Sequence, residues 1–170
     1  MAKKKPVVAV LMGSDSDLPA MDRCLKTLAV LGIPYETSVL SAHRTPDHVA
    51  RYVAEAEAAG VKVFVCAAGV AAHLAGAVVA RTLRPVIGVP LDSTALHGLD
   101  ALLSTVQMPS GVPVATVAVG EAGASNAAFL AARIVALSDP AVRARLEVHR
   151  DEMVKGVLEK NARAREKSSS

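Results

Sequence analysis

The hexapeptide Ser41-Ala42-His43-Arg44-Thr45-Pro46 gathers an imidazole, a guanidinium and two hydroxyls in one short stretch. An imidazole exchanges its proton near neutral pH and suits general acid–base work, and a neighbouring guanidinium offers an anion a planar fork of donors. A second polar run, Gly13-Ser14-Asp15-Ser16-Asp17, follows an apolar segment and precedes a helical one. Backbone N–H groups and hydroxyls at such a junction can meet a phosphate at the positive end of a helix. The run lacks the Gly-Lys-Ser/Thr ending of a P-loop and the three-glycine pattern of a dinucleotide fold, so neither a nucleoside triphosphate nor NAD is indicated. Asp17 closes it, placed either to cap the helix or to accept from sugar hydroxyls. In a third run, Ala67 to Leu74, small residues around Gly69 let backbone approach a planar ligand closely. His73, next to last in that run, falls inside a predicted helix, where a histidine is as often structural as functional. His48 and His149 fall on exposed helical faces, and His97, after Asp92-Ser93-Thr94, is the remaining imidazole able to approach the others.

The elements between these runs decide whether they meet. Val7 to Met12 is a short, nearly continuous apolar run, the pattern of a strand buried on both faces of a parallel sheet. Met21, Leu25, Leu28 and Ala29 then recur at helical spacing, with Gly32 as the stop. The alternation continues with strands over Tyr35 to Leu40, Val61 to Ala67, Val86 to Val89 and Val114 to Val119. The intervening helices cover Asp47 to Ala59, Ala71 to Arg81 and Leu99 to Val106, and a further one follows over Ala122 to Leu137. Thr45 is placed to cap the second helix, with Pro46 in its first turn. Such alternation predicts an α/β fold: a flavodoxin-like, three-layer, doubly wound parallel sheet. The C-terminal ends of all strands then share one edge, so the loops after strands one, two and three open on one crevice.

Residues 1–137 form one α/β catalytic domain in this reading, and residues 138–170 an extra C-terminal helix and tail. Ser138-Asp139-Pro140 resets the chain, and a helix is expected from Ala141 toward Lys160 with a sparse stripe of Val142, Leu146, Met153 and Val157. So thin an apolar face after a complete α/β unit favours a helix detached from its own domain and packed on a neighbouring subunit, the alternative being a helix packed back on its own domain. Residues 168–170 are expected to fray.

With 170 residues and 52% hydrophobic composition, the chain suffices for one domain with a real core. The net charge of +3 resides in Lys3, Lys4 and Lys5 and in the tail around Lys160 to Lys167. With two Tyr, two Phe and no Trp there is little on which bases could stack, which disfavours a nucleic-acid partner. Cys24 and Cys66 are far apart and read as buried thiols, and no group has zinc-ligand spacing. No run has the length of a membrane span, and the basic start lacks a signal-peptide apolar region, so a cytoplasmic location is expected with no membrane partner.

Four segments in order carry a family resemblance: Met12 to Asp17, Ser41 to Pro46, Ala71-Ala72-His73-Leu74, and Val106-Gln107-Met108-Pro109-Ser110-Gly111-Val112-Pro113, followed by Ala122 to Ala128. In these the chain resembles the class I N5-carboxyaminoimidazole ribonucleotide mutases, the family of the phosphoribosylaminoimidazole carboxylase catalytic subunit. The resemblance implies a flavodoxin-like homo-octamer in purine (IMP) biosynthesis. Its members convert N5-carboxyaminoimidazole ribonucleotide (N5-CAIR) to the 4-carboxy isomer (CAIR), without metal or organic cofactor, downstream of an ATP-dependent N5-CAIR synthetase. It implies His43 as the catalytic histidine, and Ser14, Asp17 and Arg44 as substrate-binding residues. Ser41, Gly69 and His73 join them as expected substrate contacts, with Gly69 and its small neighbours lining a carboxyl pocket. Ala68 and Val70 stand where the family usually has glycine, and Ala75 where it has proline. Two alternatives share the fold: a class II carboxylase that takes free carbon dioxide with aminoimidazole ribonucleotide (AIR), and a non-catalytic phosphoribosyl-ligand-binding module.

Overall fold

Every residue of strand β1 (Val8–Met12) is buried, as its uninterrupted apolar sequence requires of a strand covered on both faces. In the structure, a computed structural model that describes residues 5–168, this strand is an interior strand, second from one edge, of a five-stranded, all-parallel sheet of order β2-β1-β3-β4-β5. The remaining strands are β2 (Tyr35–Val39), β3 (Val63–Ala68), β4 (Val86–Pro90) and β5 (Ala115–Thr116). Six helices intervene or follow: α1 (Leu18–Val30), α2 (Pro46–Ala59), α3 (Leu74–Val79), α4 (Leu99–Val106), α5 (Gly120–Ala136) and α6 (Pro140–Ser168). This is the three-layer, flavodoxin-like architecture expected from the sequence.

Alternation along the strands divides the core in two. Val8, Val10 and Met12 join Val63, Val65, Ile87 and Val89 under α1 and α5, while Ala9, Leu11, Phe64 and Cys66 face α2 and α3. On the first face α5 presents Ala124, Ala127, Ala128, Ala131 and Ala132, all buried, and these small side chains let it lie close to the sheet and α1. Both cysteines are inside as expected; burial pushes the Cys24 thiol up to about 12 and raises Cys66 as well, so neither is a nucleophile at neutral pH.

Three boundaries differ most from expectation. Helix α3 starts at Leu74 rather than Ala71 because Val70 is left-handed (φ 57°) and His73 N–H turns back to the Ala71 carbonyl at 2.8 Å, so His73 precedes the helix. Strand β5 is reduced to two residues: as an edge strand it pairs only with Ile87 and Gly88, and Val117 N–H adds one more bond to Gly88 at 3.1 Å. Helix α6 runs to Ser168, since residues 161–167 are mostly good helix formers. The fraying expected from residue 168 therefore does not hold at Ser168, and residues 169–170, like Lys3 and Lys4, lie outside the described residues.

The expectation of a detached α6 is corrected for its first turns. Asp139 caps it, accepting from Ala141 and Val142 N–H at 3.0 and 3.2 Å, and Val142 is buried against the α1–α5 core. Arg145 Nε donates to the Leu31 carbonyl at 2.6 Å, and His149, expected on an exposed face, stacks on Phe129 with centroids 4.5 Å apart. Beyond these turns Met153, Val154, Val157 and Leu158 are exposed. No helix among the described residues is long and apolar enough to cross a membrane.

Candidate active site

Parallel register brings the strand ends to one edge: Met12 is level with Val39 on one side and Ala67 on the other, and Ala68 with Pro90. The ladder continues one step into the loops, with Gly13 N–H bonded to Ala67 O at 3.1 Å, Leu40 N–H to Met12 O at 2.9 Å and Leu91 N–H to Ala68 O at 3.0 Å. The chain winds outward in both directions from β1, so the edge between β1 and β3 is a topological switch point, where such sheets hold ligands. A crevice of about 400 Å³ opens there, lined by all three predicted loops and by Ser93 after β4.

The loop after β1 folds on itself. Asp17, only 7% exposed, accepts from Ser14 N–H at 3.0 Å, and Ser14 Oγ in turn accepts from Ser16 N–H at 3.4 Å, a reciprocal cap around the single 3₁₀ turn Asp15–Asp17. Asp17 thus caps the turn that carries it, and no side-chain bond from it caps α1. Burial is the main cause that raises its carboxyl above the ordinary value, opposed by the Ser14 and Gly13 N–H groups. Ser16 N–H also meets Asp15 Oδ1 at 3.1 Å, so the expected cradle of backbone donors is partly spent within the loop. The Ser14 hydroxyl donates to Asp15 Oδ1 at 3.1 Å and the Ser16 hydroxyl to Ser14 Oγ at 2.9 Å, so both must turn outward to meet an anion beside Arg44, whose Nη2 donates to the Gly13 carbonyl at 3.0 Å.

The loop after β2 is closed by Thr45, whose hydroxyl donates to Ser41 O at 3.0 Å and accepts from Ser41 N–H at 2.9 Å, while Ser41 Oγ accepts from Arg44 N–H at 3.2 Å. Thr45 occupies the N-cap position of α2, but its side chain ties the loop rather than capping the helix. The tie presents His43 and Arg44 outward in succession, His43 toward the third loop. There His43 Nε2 lies 2.7 Å from His73 Nδ1, the rings edge to face with centroids 4.8 Å apart. One of these nitrogens must carry the shared proton, and the contact leaves His43 Nδ1 facing no partner among the described residues. Beside them Gly69 packs so tightly under Ser93 that a Cβ there would overlap the Ser93 hydroxyl.

Ser14, Asp17, Ser41, His43, Arg44, Gly69 and His73 therefore all line one crevice. His48 is exposed on α2, and His97 lies 3.8 Å from Asp92 without lining the crevice. Residues 111–113 line a separate cleft at the opposite end of the sheet. Ser16 and Ser93 were not singled out as site residues from the sequence. The signal for Ser16 was its place in the polar run, whereas for Ser93 only the position after β4 pointed to the edge. No group of three or more His, Cys, Asp or Glu able to hold a metal occurs among the described residues.

The AIR carboxylase family profile matches residues 7–156. The chain belongs to the AIR carboxylase family. Among relatives in it, the N5-carboxyaminoimidazole ribonucleotide mutase of Pyrococcus horikoshii is 48% identical over 166 residues, covering 98% of this chain and 93% of the relative. That of Bacillus subtilis is 48% identical over 155 residues, covering 91% and 96%. The crystal structure of Treponema denticola PurE superposes with a TM-score of 0.85 at 31% identity, covering 93% of this chain and 98% of that one. The family match spans all three crevice loops and the first half of α6.

Proposed function

We propose that this chain is an N5-carboxyaminoimidazole ribonucleotide mutase, moving the carboxyl of N5-CAIR from the exocyclic nitrogen to ring carbon C4 in purine biosynthesis. The observation that carries the reading is the convergence of His43 and Arg44 with the Ser14–Asp17 turn on one crevice. Mutases of the same family, about half identical along nearly the whole chain, support it.

Arg44 and the Ser14 and Ser16 hydroxyls hold the 5′-phosphate, Ser41 steadies that loop, and Asp17 accepts from the ribose. The aminoimidazole then points toward Gly69 and the paired histidines. His43 protonates the exocyclic nitrogen as the carbamate C–N bond breaks and carbon dioxide leaves. The enamine carbon C4 attacks that carbon dioxide, and His43 takes the C4 proton as the ring regains aromaticity, so the cycle is neutral in protons. The histidine pair suits both tasks. With the shared proton on His43 Nε2, its Nδ1 is a base; with the proton on His73, Nδ1–H is an acid. Confinement of carbon dioxide against Ala68 and Gly69 turns recapture into an effectively intramolecular step.

The exposed stripe Met153, Val154, Val157 and Leu158 supports an assembly in which the outer half of α6 packs on another copy, with the octamer as the form proposed. A cytoplasmic site beside an ATP-dependent N5-CAIR synthetase follows from the same pathway assignment.

The test is purified enzyme with N5-CAIR, followed by ultraviolet absorbance of CAIR. Carboxylation of AIR by free carbon dioxide without turnover of N5-CAIR would assign the class II reaction instead. His43→Asn is expected to lower kcat by ~10²- to 10⁴-fold while product still binds; near-normal turnover would reject His43 as the proton carrier.

A further inference from the structure

The crevice has a fourth wall that the proposed mechanism leaves unused. Ser93 follows β4, two residues past the point where Leu91 N–H bonds the Ala68 carbonyl, and its hydroxyl fills the space that a side chain on Gly69 would take. That hydroxyl makes no hydrogen bond among the described residues. Its loop is nevertheless built to hold it. Thr94 Oγ1 donates to Asp100 Oδ2 and accepts from Leu96 N–H, both at 3.1 Å, and His97 N–H returns to Thr94 O at 3.0 Å. Gly98, left-handed at φ 79°, seals the knuckle: a Cβ there would overlap Val119 and come within 3.4 Å of Asp92 Cα.

We infer that Ser93 is a further substrate-binding residue, whose hydroxyl donates to the carboxylate of the nucleotide at the Gly69 end of the crevice. The inference rests on the mutase reading and assigns the carboxyl-recognising group within it. Strand order separates the two ends of the ligand. The loops of β1 and β2 bring Arg44 and the Ser14 and Ser16 hydroxyls, the phosphate donors, to one side; the loops of β3 and β4 form the other. On that other side Ala68, Gly69, Val70 and Ala71 carry no side-chain donor, and His73 has its Nδ1 engaged by His43, with only Nε2 left. A carboxylate at this end needs donors, and Ser93, exposed to the crevice, adds a side-chain hydroxyl that no other group occupies to the backbone N–H groups of the loop after β3. A hydroxyl suits this step better than a cation, because it holds the carboxylate without an ion pair that would oppose its release as neutral carbon dioxide.

The experiment compares binding of CAIR and of AIR, which lacks the carboxyl, to full-length wild type, Ser93→Ala and Ser93→Thr by calorimetry. Ser93→Ala is expected to weaken CAIR about tenfold, as loss of a hydrogen bond to a charged group does, and to leave AIR within about twofold. Ser93→Thr, which keeps the hydroxyl, is expected to keep the preference for CAIR. Equal weakening of both nucleotides, or of neither, overturns the assignment. Turnover of N5-CAIR by the wild type is measured alongside: its absence rejects the mutase reading, whereas the CAIR-to-AIR ratio judges Ser93.

Discussion

His73→Phe separates two roles for the second histidine of the pair. The substitution keeps an aromatic ring at the start of α3 but removes the nitrogen 2.7 Å from His43 Nε2. Both rings are exposed, so the hydrogen bond lost is a solvent-accessible neutral one, worth ~0.5–1.5 kcal/mol, or roughly 2- to 12-fold in rate. Deleting the proton carrier itself by His43→Asn removes general acid–base assistance worth ~10²- to 10⁴-fold, or about 2.7–5.5 kcal/mol. If His73 acts by orienting His43 and choosing its tautomer, its contribution exists only while His43 is present. The double variant His43→Asn/His73→Phe should then turn over N5-CAIR no more slowly than His43→Asn alone, and KM should be little changed in His73→Phe. Steady-state kinetics of the four enzymes, by absorbance of CAIR, close the cycle. Multiplicative losses, or a rise in KM with kcat intact, would refute the orienting role and make His73 an independent substrate contact.

Val70→Gly relieves a β-branched residue at φ 57°; left-handed backbone costs a side-chain-bearing residue ~1–2 kcal/mol, and glycine gives back ~0.4–1 kcal/mol in unfolded-chain entropy. A net gain near ~0.5–1 kcal/mol is expected in denaturant titration, and a destabilised variant would show that Val70 is not strained. For Asp17, the folded-state pKa lies above 3.8, so the folded protein holds the proton more tightly than the unfolded chain and stability falls as pH rises through that window. Asp17→Asn should therefore raise stability at pH 7, with the advantage shrinking as pH falls toward the unfolded pKa; an advantage that grows on acidification contradicts the sign. Removing residues 153–170 deletes the exposed stripe of α6 but keeps Val142, Arg145 and the Phe129–His149 stack. Sedimentation should show a smaller assembly with secondary structure retained, and an unchanged mass would place the subunit contact elsewhere.

The parallel sheet was legible because its strands are short apolar runs separated by helical periods, and that pattern alone orders the loops along one edge. The crevice inherited this legibility: the three polar runs were expected together, and they line it together. What sequence patterns could not resolve depends on single backbone torsions and on contacts between distant segments. Ala71 and Ala72 are good helix formers, yet the helix waits for Leu74, because the left-handed Val70 and the turn at His73 reverse the chain first. That delay moves His73 out of the helix and toward His43, thirty residues earlier, so propensity misplaced the very side chain whose partner mattered.

The same limit applied to α6, whose own stripe is sparse because its first turns bury through Val142 and through polar or stacked contacts. Arg145 bonds a carbonyl at the end of α1 and His149 lies on Phe129, interactions that a count of apolar positions does not register. Val70 is the instructive converse. Its conformation has no signature in composition or periodicity; the family resemblance, which implies glycine at that position, points to it, since glycine adopts φ 57° without strain. A substitution that departs from a family's glycine therefore reports a backbone torsion before any coordinates exist. Here the torsion persists with valine in place, because the loop is tied at both ends: Leu91 N–H bonds Ala68 O before it, and Ala77 N–H bonds His73 O after it, at 3.0 and 2.9 Å.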